Sequence, residues 1–181
     1  MFNITVDGCT FGTDGSDFDG LHLKTMRGRG GSIHGVRLRN SVFHSESSVK
    51  QPMPISASLF YSGNPAPTNA SATPHVYDVR VENVTIYMLP KLETRAGGAG
   101  RVQRRPKGRQ QSGAIPTDAG PSYPKTTFQF IGLSESVMHD VSFDGVKVVG
   151  GVSHGWYCEH TRGFTFKDVS PMPSKESGCM N

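Results

Sequence analysis

The chain has 181 residues, a formal net charge of +4 and 35% hydrophobic residues, which suits one domain with a core of moderate size. No apolar run approaches the roughly 20 residues a membrane helix needs, and no stretch repeats apolar residues at the helical period for more than a turn. Glycine (22) and proline (12) are frequent, as an all-β chain with many turns requires.

Met1 opens directly onto a strand pattern, Phe2-Asn3-Ile4-Thr5-Val6, with no signal peptide before it. This is the first of five copies of one phrase: an apolar residue, a polar one, a second apolar one, then Asn, Asp or Gly close behind. The copies are Ile4-Thr5-Val6-Asp7-Gly8, Val36-Arg37-Leu38-Arg39-Asn40, Val79-Arg80-Val81-Glu82-Asn83, Val141-Ser142-Phe143-Asp144-Gly145 and Phe164-Thr165-Phe166-Lys167-Asp168. Period-2 alternation predicts a half-buried strand in each, and the closing residue tolerates the left-handed backbone of a sharp turn. Such a unit buries its apolar face only by stacking on its neighbours, so the pattern predicts a solenoid, a parallel β-helix. A solenoid that begins in mid-strand has no cap over its first coil. The chain is therefore expected to be N-terminally incomplete, the C-terminal portion of a longer one.

The copies begin 32, 43, 62 and 23 residues apart. The 62-residue interval contains a segment, 91–125, that is rich in Gly, Pro, Arg and Gln and poor in large apolar residues. It cannot offset its ordering entropy by burial and is predicted to be a disordered insertion. That divides the chain into β-helix coils over 1–90, the insertion over 91–125, and terminal coils with a C-terminal tail over 126–181. The insertion holds eight Lys or Arg and two acidic residues, so the rest of the chain sums to −2. Because the basicity sits in one segment whose only aromatic is Tyr123, no stacking platform accompanies it, and nucleic acid is not an expected partner.

Cys9, Cys158 and Cys179 show no C-x-x-C spacing, which argues against a zinc site. Cys158 and Cys179 flank the last repeat; a staple of the chain end in an oxidising compartment and a pair of buried free thiols both fit. Sequons at Asn3, Asn69 and Asn83 support secretion weakly. Asp14, Asp17 and Asp19 precede a glycine but lack the spacing of a calcium loop, and they read as turn residues. No metal or cofactor is expected.

The most specific stretch runs from Asp7 to Gly31: Cys9-Thr10-Phe11, then Gly20-Leu21-His22-Leu23-Lys24-Thr25 and Gly28-Arg29-Gly30-Gly31. It resembles the polygalacturonases, glycoside hydrolase family 28, with their "C-T-F" strand end and "G-L-R-I-K-T…G-R-G-G" coil. Pro54-Ile55 with Tyr61, the segment Pro74 to Thr85, and the closing stretch from Cys158 through Pro171 to Cys179 are similar to later parts of that family. The resemblance implies a right-handed, single-stranded, pectin-lyase-like β-helix that hydrolyses α-1,4-galacturonan of pectin by inversion. It also implies a secreted monomer whose partner is an acidic polysaccharide, with no membrane involved.

Inverting hydrolysis needs two carboxyl groups roughly 6.5–9.5 Å apart across the scissile bond. The family draws them from "N-T-D" and "D-D" motifs, followed by a "G-H-G" histidine. None of the three occurs in this sequence. The His34-Gly35 and His154-Gly155 pairs follow Lys24, whereas the family histidine precedes the lysine, so neither is taken as catalytic. No catalytic residue is assigned. The resemblance implies a substrate-binding set of Lys24, which would pair with a galacturonate carboxylate, His22 in place of the family arginine, and Tyr61 against a sugar ring. Exchanging a fixed, bidentate cation for an imidazole is not conservative, and His22 is expected to aid anion binding only once protonated, below about pH 6.

Overall fold

The structure, a computed structural model, describes residues 1–12, 20–46, 53–60, 70–89, 123, 126–150 and 155–180. The described residues form β1 (Phe2–Asp7), β2 (Thr10–Phe11), β3 (Leu21–Lys24), β4 (Ser32–Glu46), β5 (Ile55–Ser58), β6 (His75–Leu89), β7 (Phe128–Ile131), β8 (Met138–Val149), β9 (Trp156–Glu159) and β10 (Thr161–Lys167). Among the described residues helix is confined to two three-residue turns, Ala70–Ala72 and Lys175–Ser177. The fold is all-β, and every pairing between these strands is parallel.

Two sheets share the strands. One runs β1-β4-β6-β8-β10 with β2 beside β4, the other β3-β5-β7-β9. From β2 onward the chain passes alternately between them, so each sheet gains a strand at every pass. Their apolar faces meet in one core, where Val36, Leu38, Val79, Val81, Val141 and Phe143 of the first sheet pack with Leu23, Ile55, Phe128, Phe130 and Trp156 of the second.

The five phrases align. Ile4, Val36, Val79, Val141 and Phe164 form one row across the first sheet, and Val6, Leu38, Val81, Phe143 and Phe166 form the next but one. The six residues on the three middle strands are buried, while Ile4, Val6, Phe164 and Phe166 on the outer two are half-buried. A row that ends at the edge of a sheet has a neighbour on one side only. Each fully buried side chain of this size stabilises the fold by about 1.5–3 kcal/mol.

The closing residue of every phrase has a positive φ: Gly8, Asn40, Asn83, Gly145 and Asp168 lie between 50° and 66°. A second such row, not anticipated above, precedes the phrases: Asn3, Gly35, Asp78, Asp140 and Gly163, between 51° and 65°. The long strands therefore bend at both rows without losing their pairing. Along the first row the Asn83 amide donates to Asn40 Oδ1 at 2.9 Å and the Asn40 amide to Asp7 Oδ1 at 2.8 Å. Asn83→Ala is expected to cost about 1–2 kcal/mol, because a methyl side chain gains nothing in the left-handed region. Asn83→Gly should cost less, since glycine relieves the backbone term and forfeits only the exposed hydrogen bond. Denaturant titration of both variants distinguishes this from a simple side-chain effect, for which glycine would be the worse of the two.

Of the expected insertion over 91–125, only Tyr123 lies among the described residues. Strands on either side of it pair directly, as in Ala57 with Phe130 and Val81 with Phe143. The C-terminal tail is tied to the last strands. Cys158 and Cys179 form a disulfide, which selects the staple over the free thiols; Lys147 bridges to Ser170, and Trp156 Nε1 donates to the Pro171 carbonyl at 2.7 Å.

Candidate functional site

The motif that carries Lys24 begins with a close approach. A Cβ on Gly20 would collide with the Pro54 carbonyl oxygen, the same oxygen that accepts from the Leu21 amide at 2.9 Å. Glycine at 20 thus lets β3 lie in register on β5. Leu21 and Leu23 then face the core, and period 2 puts His22 and Lys24 on the opposite face. Lys24 is exposed and His22 half-buried. After β3, the backbone amides of Gly28 and Gly30 both donate to the Ala72 carbonyl, at 2.8 and 3.1 Å. A Cβ on Gly30 would meet the Ser71 carbonyl. The glycines of this motif turn the chain back towards β4.

Register extends the His22–Lys24 face across the second sheet. His22 aligns with Ser56, Gln129 and Tyr157; Lys24 aligns with Ser58, Ile131 and Glu159. The Tyr157 hydroxyl donates to Glu159 Oε2 at 2.7 Å. Burial, then this hydrogen bond and the Glu159 charge, push the Tyr157 phenol up to about 12, so it remains a neutral donor. Tyr123 packs edge-on to Phe60 at 5.8 Å and lies 5.9 Å from the Tyr157 ring. Its phenol is also raised, by burial and then by Glu159.

Burial, and secondarily the Lys24 charge, lower the His22 pKa. The imidazole therefore becomes cationic only at a more acid pH than the ordinary value near 6.5 would give. Arg27 binds Glu135 through two hydrogen bonds, Nη2 to Oε2 at 3.0 Å and Nε to Oε1. That contact holds the Glu135 carboxyl down at about 2 and raises the guanidinium.

Tyr61, Asp14, Asp17, Asp19 and His154 lie outside the described residues. His34 belongs to the other sheet, where its ring stacks between Phe2 and Tyr77 at 5.5 and 4.8 Å, a structural column far from β3 in topology. Among the described residues no group of three His, Cys, Asp or Glu could hold a metal ion. Sequence reasoning missed Ser56, Gln129, Tyr157 and Glu159. The signal was present in Trp156-Tyr157-Cys158-Glu159, which alternates inward and outward as Leu21–Lys24 does.

Among the described residues this face presents the exposed Lys24 ammonium beside the half-buried His22, Gln129 and Tyr157, while Ser56 and Ile131 in the same rows are buried. No family model, curated protein or solved structure matches the chain.

Proposed function

We propose that the chain is a right-handed parallel β-helix of polygalacturonase type whose second-sheet outer face binds acidic polysaccharide of the galacturonan class. The alternation of the chain between two parallel sheets, in constant register, supports the solenoid. The observation that carries the functional reading is the placement of Lys24: exposed at the end of β3, on the face away from the core, within the glycine-bounded motif that resembles the family's substrate lysine. Its ammonium is suited to a sugar carboxylate, and the row of polar side chains beside it is suited to sugar hydroxyls. The Cys158–Cys179 disulfide supports a secreted protein.

At the level of the family the reaction is inverting hydrolysis, but this sequence contains neither aspartate motif. General acid–base catalysis contributes about 10²–10⁴ per group, and Lys24 can only orient and neutralise a substrate. The residues present therefore act as a non-catalytic binding face. Purified protein should release no reducing sugar from polygalacturonate while binding its oligomers with a Kd of about 1 mM. Lys24→Ala should weaken that binding about three- to five-fold, with less difference at high salt. Lowering the pH from 8 to 5 should strengthen binding only modestly, because His22 protonates late. Hydrolysis lost on mutating Asp14, Asp17 or Asp19 would overturn the assignment, as would binding indifferent to Lys24.

A further inference from the structure

One polar row of the first sheet is interrupted. The Asn83 amide donates to Asn40 and the Asn40 amide to Asp7, and register carries the row on to Gly145 of β8 and to Asp168 just after β10. Gly145 brings no side chain, so a gap opens between Asn83 and Asp168. A Cβ there would meet nothing closer than Asn83 Cα and its amide nitrogen, at 3.6 Å. The gap belongs to a groove of about 510 Å³ lined by Asn83, Thr85, Lys147, Asp168 and Ser170 beside Gly145, a size suited to a small molecule.

The groove sorts its polar groups into two rows. Thr85, Lys147 and Ser170 are neighbours in register and offer two hydroxyls and an ammonium. Backbone hydrogen bonds from Val148 to Ser170 and from Ser170 to Val146, at 2.8 and 2.9 Å, fix that row. Asn83 and Asp168 flank the gap two residues away along the strands, about 6.5–7 Å, and offer acceptors. Asn83 spends its amide nitrogen on Asn40, which leaves Oδ1 for another donor. Among the described residues neither the Lys147 ammonium nor the Asp168 carboxylate forms an ion pair. Lys167, whose charge also reaches Asp168, donates instead to Asp144 at 2.9 Å. A simple anion at Lys147 would lie in the field of Asp168, and a simple cation at Asp168 in that of Lys147. A ligand that carries both charges satisfies both residues.

We propose that this groove binds the zwitterionic head of an α-amino acid. The carboxylate takes the Lys147 ammonium and the Thr85 and Ser170 hydroxyls. The ammonium donates to the Asp168 carboxylate and to Asn83 Oδ1, through the space that Gly145 leaves open. The site stands on the first sheet, on strands other than those that carry Lys24, and it does not rest on the polysaccharide reading.

Titration of the isotope-labelled chain with free glycine, read from backbone amide shifts at neutral pH, tests the site. Acetate and methylammonium serve as the two halves of that probe. Glycine should shift the Gly145, Lys147 and Ser170 amides and saturate with a Kd of about 5 mM, as suits an open groove. Each half alone should bind at least about five-fold more weakly, since it satisfies one charge and faces the other. Gly145→Asn fills the gap: asparagine tolerates the positive φ of 66° and its amide can continue the row. Glycine binding should then fall at least about ten-fold with the melting temperature unchanged or raised. Lys147→Gln, on the exposed face, should weaken glycine about five-fold and gives the same reading should the Gly145 variant prove unstable. Asp168→Asn should weaken glycine while bringing acetate to about equal affinity, because the repelling charge is gone. Acetate binding the parent chain as tightly as glycine would overturn the proposal in favour of a plain anion site. Glycine shifts that are absent, or that persist undiminished in both Gly145→Asn and Lys147→Gln, would overturn it outright.

Discussion

Val81→Asp should leave the chain without a cooperatively folded state. Val81 is fully buried and pairs in register with Leu38 on one side and Phe143 on the other. Phe143 in turn packs edge-on to Trp156 at 4.9 Å and stacks on Phe166 at 5.5 Å. An ionised carboxylate at 81 would find no partner in this apolar row, and protonating it would still bury an unsatisfied acid. The expected cost is at least about 4–5 kcal/mol, comparable with the whole stability of a small domain, about 5–15 kcal/mol. Thr165→Asp is the matched control: it adds the same charge on the exposed face of β10 and should shift stability by about 0.5 kcal/mol or less. Circular dichroism and urea titration of the two variants read the difference directly. A Val81→Asp variant that melts like the parent would mean that these rows do not form the core.

The first sheet was legible because each of its phrases carries two independent signals. Alternation assigns the faces, and a residue tolerant of positive φ marks the bend that follows. The second bend escaped notice although the residues before the phrases are Asn3, Gly35, Asp78, Asp140 and Gly163, the same chemistry read one position earlier. The second sheet was harder. Its strands β3, β5, β7 and β9 have four residues each, too few for alternation to stand out from chance. Lys24 and His22 were found through the glycine-bounded motif around them. Their neighbours were not, because Ser56, Gln129 and Tyr157 follow at intervals of 34, 73 and 28 residues. Intervening segments of unequal length erase any period, and only the register of the folded sheet brings that row together. The lowering of the His22 pKa was not legible either, since its burial and the Lys24 charge beside it are properties of the folded face and not of the residue type.

Opening the Cys158–Cys179 disulfide should cost about 3 kcal/mol. The bond closes a loop with a sequence separation of 21, and the chain-entropy relation gives about that value for a loop of this length. Both cysteines are buried, at 6% and 2% exposure, so a Cys158→Ala, Cys179→Ala double variant also loses sulfur packing against the core and should fall at or slightly beyond that cost. With a urea slope of about 2 kcal/mol/M the midpoint should drop by about 1.5 M, and reduction of the parent protein should give a similar shift. The loss should also be local at first. The tail meets the sheets at Trp156, Thr161 and Lys147, all near the β9 and β10 edge. Amide exchange in β9 and β10 should therefore quicken while the middle strands β4 and β6 keep their protection. Cys9 is the free thiol, so alkylation of the native protein should modify one cysteine before reduction and three after it. A midpoint indifferent to reductant would show that the tail is held by its packing alone, and three reactive thiols in the unreduced protein would show that the staple does not form.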